Sequence, residues 1–111
     1  MKDYASMSDQ QINKLVAAAD GMDSGAHYMG DVVVLRDNRW VSFDPCNNPA
    51  DAWAIIVENG ITLAFQDGNW WADNLAYWID GVEWSIGGII DKNPLRAAMI
   101  VFLMMKESKD D

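Results

Sequence analysis

At 111 residues, half of them hydrophobic, the chain has the size of one domain and enough apolar material for a real core, which excludes disorder. A net charge of −9 and a pI near 4.2 exclude general affinity for DNA or RNA, because neutralising phosphates takes clustered Lys and Arg. The single cysteine, Cys46, excludes an internal disulfide framework and fits a reducing compartment.

The opening MKDYASMSDQQ lacks the apolar run of a signal peptide. Ser8 then opens a helix. Gln11 stands three residues on, as in a capping box, and Ile12, Leu15, Val16 and Ala19 recur at helical spacing up to Gly21. Residues 21–30 read as loop. Val32–Leu35 and Trp40–Phe43 read as strands around an Arg36-Asp37-Asn38-Arg39 turn. Asn48-Pro49 starts a second helix, with Asn48 as cap, Pro49 at the first helical position and Asp51 near the positive end. Gly60 stops it.

Two hairpins follow. Ile61–Gln66 and Asn69–Asp73 flank Asp67-Gly68, and Leu75–Ile79 and Val82–Ile86 flank Asp80-Gly81. Asp-Gly between alternating strands is a strong hairpin signal. Gly87-Gly88 breaks the pattern, and Asn93-Pro94 starts a last helix that runs to about Glu107, ahead of a polar, frayed tail at Ser108–Asp111. The expected class is α+β, an antiparallel sheet built from hairpins packed with three helices, in the order α-β-β-α-β-β-β-β-α. The two Asn-Pro starts reflect shared capping chemistry rather than an internal repeat.

The most informative stretch is Trp40–Asp91. These 52 residues hold all six tryptophans, eight of the seventeen acids and no Lys, Arg or His. Such a surface suits a basic or apolar partner, expected to be a protein, and disfavours phosphates. Hairpin register sorts the tryptophans. A two-residue Asp67-Gly68 turn pairs Phe65 with Trp70 and Leu63 with Ala72 on the core face, and puts Thr62, Ala64, Gln66, Asn69, Trp71 and Asp73 on the other. In the next hairpin Tyr77 pairs with Trp84 on an apolar face and Trp78 with Glu83 on the opposite one. Trp70, Trp84 and Trp53 are therefore expected in the core. Trp71 and Trp78, with Asp73 and Glu83, are the candidate partner-binding residues, because Trp is enriched at binding hot spots. Trp40, at a hairpin edge, is uninformative.

The last helix is apolar on nearly every side, from Leu95 to Met105. Such a helix is normally buried all round. Either other elements wrap it, or its second face, with Met99, Phe102, Met104 and Met105, joins a second copy in a homo-oligomer. Its longest apolar run, Ala97–Met105, is nine residues, against the roughly 20 that span a bilayer, so a soluble cytosolic protein is expected. Arg96, unfavourable in a first turn, is expected to pair with an acid such as Asp51 or Asp91.

Signals for catalysis are lacking. No metal-ligand spacing, P-loop or dinucleotide fingerprint occurs, and Cys46 and His27 are the only residues that could form a nucleophile pair. No enzyme activity and no cofactor is expected.

Three stretches carry a resemblance: SDQQINKLVAAADG (Ser8–Gly21), CNNPADAWAIIVENGI (Cys46–Ile61) and NPLRAAMIVFLMMKE (Asn93–Glu107), about 45 of the 111 residues. In this order they resemble the NinX-like proteins of tailed bacteriophages and prophages. Ala54 stands where that family leads one to expect proline. The resemblance implies a phage accessory protein in the host cytoplasm that modulates host proteins, including those of host defence, and it implies no catalytic residues. The leading expectation is binding of a host or phage protein, one form being mimicry of nucleic acid charge. The alternatives are a protein that sequesters a nucleotide or signalling metabolite and a structural or assembly factor.

Overall fold

The structure, a computed structural model, describes residues 3–26, 30–79 and 82–110, and within them the side chains other than those of 26, 75–79, 82–87 and 108–110. A single 3-10 turn, Tyr4–Ser6, precedes helix α1 (Asp9–Ala19). A first sheet follows, made of β1 (Ser24–Ala26), β2 (Val32–Arg36) and β3 (Arg39–Ser42). Helix α2 (Pro49–Asn59) leads to a second sheet of β4 (Ile61–Gln66), β5 (Asn69–Ile79) and β6 (Val82–Asp91), and helix α3 (Pro94–Asp110) closes the chain. Both sheets are antiparallel and the fold is α+β, with helices and strands alternating in blocks as expected.

The local devices are those the sequence announces. Ser8 and Gln11 make both bonds of the capping box, at 3.1 and 2.8 Å. Asn48 accepts from the Ala50 amide at 3.0 Å, and Gly60 ends α2 in the left-handed region at φ 62°. Asp37-Asn38 and Asp67-Gly68 hold positive φ at both turn positions, the twist a two-residue hairpin needs. The Asp80-Gly81 turn and His27 lie outside the described residues.

Strand boundaries differ from expectation in three places. Ser24–Ala26 forms β1 rather than loop, pairing Gly25 with Val33. Its own residues have low strand propensity, and β2 supplies the template. The strand expected to break near Asn74 runs on as β5, with register shifts around that residue. Asn74 is buried because its amide donates to the Asn59 carbonyl at 3.1 Å, satisfying an end of α2. Strand β6 likewise continues through Gly87-Gly88. Helix α3 also runs past Glu107 to Asp110.

Helix α3 is the centre of the core. It touches β4, β5, β6, α1 and α2, and every residue from Ala97 to Leu103 is buried. Met99 and Phe102 are fully buried and Met105 nearly so, while Met104 is half-buried. Cover for Met99, Phe102 and Met105 comes from the same chain, one of the two ways to hide an all-round apolar helix.

Candidate interaction surface

The outer face of the second sheet takes shape from its register. Ala64, Trp71 and Ile90 stand side by side across β4, β5 and β6, and Thr62 pairs with Asp73. The pairs Phe65–Trp70 and Leu63–Ala72 occur as the turn dictates, with Ala72 fully buried on the inner face. Alternation therefore places Trp71 and Asp73 outward.

Trp71 is 38% exposed and held from two sides. Its ring Nε1 donates to Asp73 Oδ2 at 3.0 Å, the next outward residue on β5. Its ring lies across β6 at Gly88, where a Cβ would overlap the indole. Only glycine leaves that space, which explains a glycine inside a strand. Ile90 beside it is 59% exposed. A depression of about 330 Å³ opens here, lined by Gln66, Asp67, Asn69, Trp70, Trp71 and Ile90, two of whose members are aromatic and one acidic.

Of the four expected partner-binding residues, the structure joins Trp71 to Asp73. Trp78 and Glu83 face each other in register, but their side chains lie outside the described residues, as does that of Trp84. Gly88 and Ile90 were not anticipated. Reading the alternation on from Ile86 through Gly87-Gly88 would have found them, since Gly88 and Ile90 share a strand face.

Three core expectations are corrected. Phe65, on the inner face, is 62% exposed, and Trp70 is half-buried. Both sit beside the Asp67-Gly68 turn at the end of the sheet and pack on each other, ring centroids 5.2 Å apart. Trp53 is 65% exposed on α2, because Ala52, Ile55 and Ile56 fill the inward side. Trp40, at the edge of the first sheet, is also exposed.

A second polar cluster joins the starts of all three helices. Arg96, on α3, reaches Asp9 Oδ1 at 2.6 Å and Asp91 Oδ2 at 3.3 Å, and donates to the Met7 carbonyl at 2.7 Å and that of Tyr4 at 3.2 Å. The expected acid Asp91 is thus one partner. Asp51 is not; it accepts from the Asp44 amide at 2.9 Å and lies 3.8 Å from Arg36. Asn13 donates to Asp44 at 2.8 Å and accepts from the Cys46 amide at 3.2 Å, while Asn93 donates to the Cys46 carbonyl at 2.6 Å. These bonds lock the Asp44–Asn48 loop between α1 and α3.

Cys46 is fully buried in this cluster. Burial, then the negative charge of Asp9, pushes its thiol up to about 12 against the opposing pull of Arg96. A thiol so held stays protonated and is a poor nucleophile. A cleft of about 210 Å³ beside the cluster has Asp9, Asp31 and Asp44 in its wall. Among the described residues no group of His, Cys, Asp and Glu is placed to hold a metal ion.

Fold and surface together define a small α+β protein wrapped around an apolar helix, with its shared polar cluster used for structure and Trp40, Trp53 and Trp71 turned outward. Residues 3–106 match the family model described as bacteriophage P22 NinX, and the chain belongs to that family of phage accessory proteins. A comparison with curated proteins finds no match. No helix among the described residues is long and apolar enough to cross a membrane.

Proposed function

We propose that this phage accessory protein acts without catalysis, by binding a host or phage protein in the bacterial cytoplasm through the outer face of its second sheet. The observation that carries the reading is Trp71, exposed yet pinned by Asp73 and Gly88. A fixed aromatic ring loses little entropy on binding and serves as an anchor. It sits in a 52-residue stretch with eight acids and no cation, so the partner's surface is basic or apolar. Antagonism of a host defence protein, or occupation of a nucleic-acid-binding surface, are the forms this binding would take. The protonated Cys46 thiol supports the non-enzymatic side of the reading.

A nucleotide-sequestering role draws less support, since the cleft beside the polar cluster carries Asp9, Asp31 and Asp44, which repel phosphate. The test is affinity purification of the full chain from infected cells, beside a Trp71→Ala variant. A defined protein should co-purify at low salt, weaken as salt rises to about 1 M, where screening acts within roughly 3 Å, and lose at least about tenfold in affinity to the variant. Retention indifferent to both salt and Trp71 would contradict the proposal.

A further inference from the structure

Helix α2 has two apolar faces. Ala52, Ile55 and Ile56 point inward and are buried. Ala50, Trp53, Ala54 and Val57 recur at i, i+3, i+4 and i+7, the spacing of a helix-packing stripe, and all four are exposed. Trp53 and Val57 expose 65% and 56% of their surface. A helix apolar on both sides normally lies between two layers; here one of the layers is missing among the described residues.

The margin of the stripe says what fits. Glu58 follows Val57 and lies one turn beyond Ala54, so it borders the apolar residues. Asp20 is close enough to Glu58 for the two carboxylates to repel, an effect that adds to burial in raising the Asp20 carboxyl. Lys106 and Arg36 offset part of that charge at Asp20 but are shared with other groups. Arg36 lies against Asp51 at 3.8 Å and over the Phe43 ring at 5.7 Å, and Lys106 over the Phe102 ring at 5.4 Å.

A second copy is a poor occupant. Pairing two copies through this stripe would bring together chains that each carry −9, and α2 holds no Lys or Arg to answer Glu58. Trp53 and Val57, the two large residues of the stripe, together expose on the order of 250 Å². The area and the 11-residue length suit one helix laid along another.

We propose that the Ala50–Trp53–Ala54–Val57 face of α2 docks a basic amphipathic helix of another protein, with apolar residues against Trp53 and Val57 and Lys or Arg against Glu58 and Asp20. This surface uses none of the Trp71 residues, and the two readings stand or fall separately.

The test titrates the full chain with a synthetic amphipathic Leu–Lys helix and with a Leu–Glu helix of equal length, following backbone and indole NMR signals. The Leu–Lys helix should bind and shift the Trp53 indole, and the Leu–Glu helix should not. Trp53→Ala and Val57→Lys, both at exposed positions, should each weaken binding at least tenfold, while Trp71→Ala leaves it within twofold. Equal binding of the two helices, or binding untouched by Trp53→Ala and Val57→Lys, would overturn the inference. So would a Trp53-dependent dimer on sedimentation. Loss of binding with Trp71→Ala alone would overturn it and leave the sheet surface standing.

Discussion

Helices α2 and α3 both start at an Asn-Pro pair and both carry apolar residues on every side, yet α3 is buried from Ala97 to Leu103 while α2 leaves Trp53 65% exposed. Their surroundings account for this. Five elements close around α3, whereas α2 rests on α3 and β4. Apolar residues all round a helix measure how much cover it needs; chain topology decides whether that cover is internal or must come from a partner. On the second sheet a similar contrast separates Trp71, 38% exposed on the outer face, from Ala72, fully buried on the inner one.

Substitutions on either side of this contrast should differ sharply in cost. Phe102→Ala, in the filled centre, should destabilise by about 3–5 kcal/mol in chemical denaturation, the range for a large buried aromatic. A loss under about 1 kcal/mol would mean α3 is not enclosed. Arg96→Met should cost roughly 2–4 kcal/mol, because it strands Asp9, Asp91 and the Met7 and Tyr4 carbonyls. Gly88→Ala should cost about 1–3 kcal/mol and red-shift the tryptophan emission, since its methyl displaces the Trp71 ring. An unchanged spectrum would remove Gly88 from the account of that ring.

Alkaline pH probes the enclosed side through Cys46. Its folded thiol, at about 12, lies above the ordinary 9.0, so the unfolded chain ionises first. The stability linked to this group is full below pH 9 and is lost as pH rises from 9 towards 12; a Cys46→Ala variant should lose less over that window. The smallest effect belongs to the open side of α2. Trp53→Ala should change stability by no more than about 0.5 kcal/mol while weakening helix docking at least about tenfold.

Much of this was legible in the sequence because the signals are local. Caps at Ser8 and Asn48, the stop at Gly60 and the turns at Asp37-Asn38 and Asp67-Gly68 each act within a few residues. Register then put Trp71 and Asp73 on one face. What failed depended on distant partners. Strand β1 owes its form to β2, and Asn74 stays inside β5 because α2 ends beside it. Helix propensity and periodicity gave Trp53 an inward place that Ala52, Ile55 and Ile56 already fill. Arg96 was recognisable as an ion-pair residue, but Asp9, 87 positions away, was not recognisable as its partner.

Hydroxyl-radical footprinting of the isolated full chain reads the contrast between the two helices most directly. The account predicts fast oxidation at Trp53 and protection at Met99, despite the intrinsic reactivity of methionine, because Trp53 faces solvent and Met99 is fully buried. Oxidation of Met99 as fast as that of Trp53, or a protected Trp53 in the free protein, would contradict it.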